Sequence, residues 1–299
     1  MNKTHDPLVS VIVLTYNSLD YVLETLESVK QQSYKKIELI ITDDGSSDKT
    51  VSTCETWLLR NKKWFIQTRL ITTEKNTGVP ANCNRGIKAA KGEWIKFIGG
   101  DDLLLKDCIK NNIDNTVKNA KIKIQFSKQL YFKALNGEKQ IIEDLYFKEN
   151  YRYYNIDNEE QYKVLLVRNF LIAPTSFFKA TVFYEIGLFD ESIKGIEDYP
   201  FWLKASQKGY KFYFFDKETV MYRKSEINSS SLPRMHLYMK KIFFKYRFIP
   251  LLKYRPYYAY DRFIFYTLIP LILKNKYFKV FYYVLSPLSV FKSFSNINP

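Results

Sequence analysis

Cysteine is scarce in this 299-residue chain, and its three residues, Cys54, Cys83 and Cys108, stand in no metal-ligand spacing. Their odd number argues against a disulfide framework and points to a reducing, cytoplasmic compartment. Histidine is scarcer still: His5 and His236 are the only two, and neither belongs to a motif. The chain has no G-x-x-x-x-G-K-[ST] loop and no G-x-G-x-x-G turn, so P-loop phosphoryl transfer and ordinary dinucleotide binding both lose support. Long apolar runs are missing as well. Phe263 to Leu273 contains Pro270 and falls short of the roughly 20 residues that a span needs. Leu8 to Tyr16 follows only Lys3 and Asp6, with no small-residue cleavage site after it, so no signal peptide is expected.

What the chain does have is charge and aromatic surface. Net charge is +15 and aromatics reach 17%, most of them Tyr and Phe. The charge is concentrated at the end: from Arg234 to Pro299 twelve Lys or Arg stand against the single acid Asp261. A boundary therefore falls near 233, separating a nearly balanced domain over 1–233 from a basic, aromatic, helical region over 234–299. Between 235 and 294, Lys and Arg alternate with Phe, Tyr, Leu and Ile, interrupted by Pro250, Pro256, Pro270 and Pro287. Short amphipathic helices of that kind suit an anionic membrane surface, where each cation adds about 1 kcal/mol. The alternative is that these aromatics pack on the preceding domain or on a second subunit, which leaves a homodimer open.

The first hundred residues alternate short β-rich runs with helical stripes, the pattern of a parallel sheet with crossover helices. Val9 to Thr15 reads as a strand buried on both faces, and Leu19 to Gln31 as a helix. Ile37 to Thr42 is the second strand, followed by a helix from Asp48 to about Arg60. Gln67 to Thr72 is the third strand, Asn82 to Ala90 a helix, and Trp94 to Ile98 a fourth strand that runs into Gly99-Gly100-Asp101-Asp102. Polar clusters follow each strand: Thr15-Tyr16-Asn17, Asp43-Asp44-Gly45-Ser46, Asn76-Thr77-Gly78 and Asp101-Asp102. In open α/β sheets that rim is where ligands bind. Beyond Lys118 the pattern weakens, with a hairpin expected at Asn136-Gly137, a strand pair around Ala173-Pro174-Thr175-Ser176, a helix from Thr181 to Gly187 and another from Glu197 to Lys208.

Adjacent carboxylates at a strand end, beside glycines, suit a hard cation that also contacts a diphosphate, because magnesium and manganese are usually held by one or two carboxylates plus substrate phosphates. Asp101 and Asp102 fit that pattern. Taken alone, an Asp-Asp pair after a strand is as well explained by a turn and a helix cap. The second acidic loop, Asp43 to Asp48, offers carboxylates for a base edge or ribose hydroxyls, with Asp48 suited to cap the next helix. Its plainer reading is also a capped turn.

Five segments in order, VSVIVLTYNS, DDGSSDKT, EKNTGVPANCNRGIKAAKGEWIKFIGGDD, IGLFDES and GIEDYPFWLKASQKG, resemble glycosyltransferase family 2 of the GT-A fold over residues 8 to 225. Independent motifs agreeing in order and spacing carry more than any one of them. The resemblance implies a Rossmann-like mixed α/β sheet with flanking helices, a nucleotide-binding half over 8–117 and an acceptor half over 118–233. It implies an inverting transfer of a sugar from a nucleotide donor, commonly a UDP-sugar, to a glycan or lipid-linked acceptor in surface polysaccharide synthesis.

By that resemblance Thr15, Tyr16 and Asn17 lie beside the base, and Asp43 or Asp44 reads its edge. Lys75, Asn76 and Gly78 lie near the nucleotide, Arg85 faces the diphosphate, and Gly100 belongs to the donor site. Asp101 matches the metal-binding Asp of the family's D-x-D element and would hold manganese or magnesium. Asp102, Thr175 and Trp202 fall on the acceptor side. Asp198, with Glu197 beside it, matches the acidic pair at a helix start, and Asp198 is the general-base candidate. Two departures stand out: the first Asp of D-x-D is Gly99, and the His that many members place after Tyr222-Arg223 is Ser225. Two other classes compete: a polyanion-binding protein using the basic tail, and a nucleotidyltransferase. The first leaves the acidic rim unexplained, and the second lacks a Gly-rich basic loop after strand one. No nucleic-acid partner is expected.

Overall fold

The computed structural model describes residues 6–135, 138–142, 149–224 and 235–267. The chain divides into two compact units, Met1–Leu232 and Pro233–Pro299.

In the first unit, β1 (Val9–Thr15) is the hub of the sheet. It pairs in parallel with β2 (Ile37–Asp43) on one side and β4 (Trp94–Gly99) on the other, and β3 (Gln67–Ile71) extends β2. The β-branched run of β1 is buried throughout except at Leu14, as a strand covered on both faces must be. Val9, Val11 and Val13 face a core formed with Val22, Leu26 and Val29 of α1 (Val22–Lys30) and with Ile109 and Ile113 of α4 (Cys108–Lys118). The helix α2 (Thr50–Asn61) lies against α1 and β3, and α3 (Val79–Ala89) packs on β1 and β2.

The remaining strands make the sheet mixed. Its order is β3-β2-β1-β4-β8-β6-β9-β5, with β5 (Leu103–Leu104), β6 (Ile124–Leu135), β7 (Glu138–Ile142), β8 (Phe177–Lys179) and β9 (Phe212–Arg223). The short β8 runs antiparallel to both β4 and β6, while the two twelve-residue strands β6 and β9 run parallel. β6 and β7 form the expected hairpin, since Leu135 pairs with Glu138; residues 136 and 137 themselves lie outside the described residues. Three further helices follow: α5 (Asn158–Leu165), α6 (Thr181–Ile186) and α7 (Asp198–Gln207). The high aromatic content finds its use here. Phe178 stacks on Trp202 at 5.6 Å, and Phe126, Phe183, Phe189, Phe201 and Phe212 close around them, each such side chain stabilising by about 2–3 kcal/mol on burial.

Several boundaries differ from the sequence reading. α1 starts at Val22 rather than Leu19, because Asn17 takes a positive φ of 48° and the chain turns through residues 18–21 before helix begins. α3 starts at Val79 rather than Asn82: Gly78, at φ 98°, ends the loop, and Pro80 fits the first helical turn, where no N–H is needed. Asp48 does accept from the Thr50 N–H at 2.9 Å, and the helix opens at Thr50 with Lys49 at its cap position. The strand pair expected around Ala173–Ser176 is instead a 3-10 turn, Ala173–Thr175, leading into the single strand β8.

The second unit consists of α8 (Met235–Ile242), a π-helical turn over Phe243–Arg247, α9 (Phe248–Tyr254) and α10 (Pro256–Thr267). Part of its aromatic content packs internally: Phe243 meets Tyr266 at 5.2 Å and Phe248 stacks on Phe263 at 5.5 Å. Leu237, Ile249, Leu252 and Tyr257 stay exposed. No helix among the described residues is long and apolar enough to cross a membrane. The tail beyond 267 and Ser225 lie outside the described residues.

Candidate active site

The carboxyl ends of β1 and β2 are stitched together by their own polar residues. Asp43 accepts from Thr15 Oγ1 at 2.8 Å and from the Ser46 N–H at 2.8 Å. The Asn17 N–H donates to Ser46 Oγ at 2.8 Å, and Asn17 Oδ1 accepts from the Ser47 N–H at 2.9 Å. Asp44 is a second clamp. Its carboxylate accepts from Thr77 Oγ1 at 2.6 Å, from the Gly78 N–H at 2.8 Å and from Arg85 Nη2 at 2.6 Å. Burial alone would raise the Asp44 carboxyl, but the bonds from Thr77, Arg85 and Gly78 outweigh it and hold it below the ordinary range. Only Gly is comfortable at position 78, both for its φ and because a Cβ there would meet Lys194 O at 2.6 Å.

A cavity of about 430 Å³ opens at the ends of β1 and β4 and is closed by the Ala173–Ser176 turn, the start of α7 and the end of β9. It gathers Tyr16, Asn17, Gly100, Asp101, Asp102, Glu197, Asp198 and Trp202. Thr15, Asp43, Asp44, Lys75, Asn76, Gly78, Arg85 and Thr175 are not in its wall. Lys75 and Asn76 are exposed on the loop that backs Gly45, and Arg85 is committed to Asp44, Thr77 and Asn82. Thr175 is a correction to the acceptor-side expectation. It is fully buried, and its hydroxyl donates to Ile172 O at 2.9 Å and accepts from the Ser127 N–H at 3.3 Å, so it shapes the turn from inside.

The two acidic pairs differ in what surrounds them. Asp101 is exposed to the cavity while Asp102 is buried. Arg223 holds both: its backbone N–H donates to Asp102 Oδ1 at 2.9 Å and its Nε to Asp101 O at 2.8 Å. The guanidinium lies between the rings of Tyr21 and Phe132, 4.4 and 4.5 Å from their centroids, and pairs with Glu24, which also binds Lys139 at 2.7 Å. Burial raises both Asp carboxyls, that of Asp102 well above its ordinary value with Asp101 adding repulsion. Gly99 makes room for them. A Cβ at that position would stand 2.9 Å from Asp101 Oδ1 and 3.4 Å from Asp102 Oδ2.

Those two oxygens thus converge on space that a side chain at 99 would fill. That donor set fits a hard divalent cation completed by a substrate diphosphate, and Asp101 is the carboxylate open to the cavity. Among the described residues no cluster of three His, Cys, Asp or Glu side chains gathers.

Glu197 and Asp198 sit half-buried at the N-terminus of α7. Burial and the Asp198 charge push Glu197 up to about 8. Asp198 is also raised by burial, but the Tyr199 N–H and Asn169 Nδ2, at 3.2 Å, pull it back. The repulsion between the two carboxylates opposes ionisation of both at once. Trp202 Nε1 comes close enough to favour the Asp198 anion without making a hydrogen bond of ordinary geometry.

Sequence reasoning passed over Lys96, Glu24, Tyr21 and Asn169. Lys96 is fully buried beneath the cavity and donates to Pro174 O and to Ser176 O at 3.2 Å, tying the turn to the strand that carries the Asp pair. Burial lowers it to about 8, against the opposing pull of Cys108 and Asp102. A lysine inside a strand otherwise apolar, WIKFI, was the available signal.

A mixed sheet with helices on its faces and an acidic cavity at its carboxyl rim is the architecture that the GT-A resemblance implies. Residues 10–183 match Glycosyl transferase family 2, and the chain belongs to that family. An uncharacterized glycosyltransferase of Rickettsia typhi is 29% identical over 221 residues, 73% of this chain and 64% of that protein. The matched part of the chain thus spans just under two thirds of that relative. GlyG of Streptococcus pneumoniae serotype 4 is 33% identical over 103 residues, 34% of this chain and 33% of GlyG. Among solved structures, S. aureus TarS 1-349 in complex with UDP-GlcNAc aligns with a TM-score of 0.61 at 24% identity, covering 82% of this chain and 66% of that one. The mannosyltransferase PcManGT from Pyrobaculum calidifontis, in complex with GDP-Man and Mn2+, gives 0.56 at 17% identity, covering 84% and 65%.

Proposed function

We propose that the chain transfers a sugar from a UDP-sugar to a hydroxyl of a glycan or lipid-linked acceptor, with inversion at the anomeric carbon. One observation carries the reading: the wall of a single cavity holds both a metal-type carboxylate pair, Asp101 and Asp102, and a helix-start pair, Glu197 and Asp198. Family membership favours it over polyanion binding and over nucleotidyl transfer.

In this reading Asp198 takes the proton of the acceptor hydroxyl as that oxygen attacks the anomeric carbon. The bond from that carbon to the diphosphate oxygen breaks on the opposite side, and the nucleoside diphosphate leaves with the electron pair. Asp101 would hold a manganese or magnesium ion together with the diphosphate, and the ion would supply neutralising charge to the leaving group. Glu197, protonated near neutrality, keeps the pair from carrying two charges. Asp44 and Arg85, on the rim outside the cavity wall, are positioned to order the nucleotide loops. The acceptor's place in a surface polysaccharide such as a capsule or O-antigen belongs to the same proposal. So does a peripheral position on the inner face of the membrane, supported by exposed Leu237, Ile249 and Leu252 among the Lys and Arg of α8 and α9.

The test is UDP release from a panel of UDP-sugars with manganese, first with water and then with candidate acceptors, with the product's anomeric configuration read by NMR. Wild type should release UDP and form the inverted linkage, and Asp198→Asn should lose about 100- to 10,000-fold in kcat while still binding UDP. A retained configuration, or an unimpaired Asp198→Asn, defeats the reading.

A further inference from the structure

Tyr222 is a polar residue of the cavity wall outside both acidic pairs. Tyr222 lies on β9 in register with Tyr131 of β6, and the two rings meet edge-on at 5.6 Å. The hydroxyls of Tyr34 and Tyr199 donate to the backbone carbonyls of Pro7 and Leu165. The Tyr222 hydroxyl has no such partner among the described residues, although the residue lines the cavity.

Its position is fixed from two directions. The next residue along the strand, Arg223, is bonded through its N–H to Asp102, which sets Tyr222 beside the Asp101–Asp102 end of the cavity. Its electrostatic neighbours are Asp102, Asp101 and Glu197, from both acidic pairs. Its phenol O–H can donate a hydrogen bond into the cavity that the residue lines. If the first pair marks the diphosphate and the second the attacking acceptor, the group between them is the sugar being transferred.

We propose that Tyr222 is a donor-binding residue whose hydroxyl donates a hydrogen bond to a hydroxyl oxygen of the transferred sugar. The inference rests on the UDP-sugar reading of the cavity and adds a residue that discriminates nucleotide-sugar from spent nucleotide. A contact to the sugar strengthens binding of UDP-sugar and leaves UDP untouched, so it also favours exchange of product for fresh donor.

The experiment is calorimetric titration of UDP, UDP-glucose, UDP-galactose and UDP-N-acetylglucosamine, with manganese, into wild type and Tyr222→Phe. The Phe ring keeps the edge contact to Tyr131, and equal melting temperatures confirm the fold. The expected result is unchanged UDP affinity and a loss of about 3- to 10-fold for the best-bound UDP-sugar, the range of one neutral hydrogen bond. No loss for any sugar nucleotide overturns the proposal. An equal loss for UDP also overturns it, by moving the contact to the diphosphate. Failure of wild type to bind UDP at all would instead sink the underlying UDP-sugar reading and this inference with it.

Discussion

Arg223 and Asp102 lie 121 residues apart, yet the backbone N–H of one donates to the carboxylate of the other at 2.9 Å. The Arg223 side chain then turns back to the carbonyl of Asp101 at 2.8 Å, so one residue at the end of β9 orients both acids of the β4 loop. Glu24 and the Tyr21 and Phe132 rings hold the guanidinium in place; burial raises the Glu24 carboxyl, and Lys139 and Arg223 together outweigh it and hold it below its ordinary value.

Arg223→Lys keeps a charge but cannot make the Nε bond or the planar stack. Manganese-supported UDP affinity should fall by about tenfold, the range of a hydrogen bond to a charged group, with little change in melting temperature. Unchanged affinity in a metal titration would show that the Asp loop holds its shape without this clamp.

How much of this was legible beforehand divides by distance along the chain. The β-branched runs of β1 and β2 and the apolar stripe of α1 announce local structure, and their observed limits match within a few residues. The four polar rim clusters follow from strand polarity. What stayed hidden depends on partners far away. Two aromatic-rich segments, 124–135 and 212–223, become parallel neighbours, and neither carries a signal of that pairing. Residues 173–176 look like strand, but Pro174 and the buried Lys96 ammonium turn the carbonyls of 174 and 176 inward. Thr175 donates to Ile172 O, a contact that only the folded turn creates.

Glu197 should cost stability where it must ionise. Its folded carboxyl is raised from 4.5 to about 8, so its favourable contribution is complete below about 4.5 and is lost as pH rises through about 8. Glu197→Gln should therefore melt higher than wild type at pH 9, with the gap shrinking towards pH 6. A gap that widens on acidification would contradict the assignment.

Gly99 departs from the family's D-x-D pattern, and the geometry gives the departure a purpose. Gly99→Ala places a methyl group 2.9 Å from Asp101 Oδ1, tighter than carbon and oxygen tolerate, so the carboxylate must move. Manganese affinity in the presence of UDP should drop several-fold, read by the metal's electron paramagnetic resonance signal. An undiminished signal would place the ion elsewhere.

The exposed apolar residues and cations of α8 to α10 predict binding to vesicles of phosphatidylglycerol and phosphatidylcholine in a flotation assay. Binding should weaken at 0.5 M salt, where the screening length shortens to a few ångströms, and should be absent on pure phosphatidylcholine. Flotation with neither vesicle would return the tail to a packing role.

The most direct test of the central claim is calorimetric titration of UDP into wild type and Asp101→Ala, each with and without manganese. The account predicts tight binding only for wild type with manganese, because Asp101 is the carboxylate open to the cavity and the diphosphate completes the ion's ligands. Equal UDP binding by both proteins, with or without the metal, would contradict it.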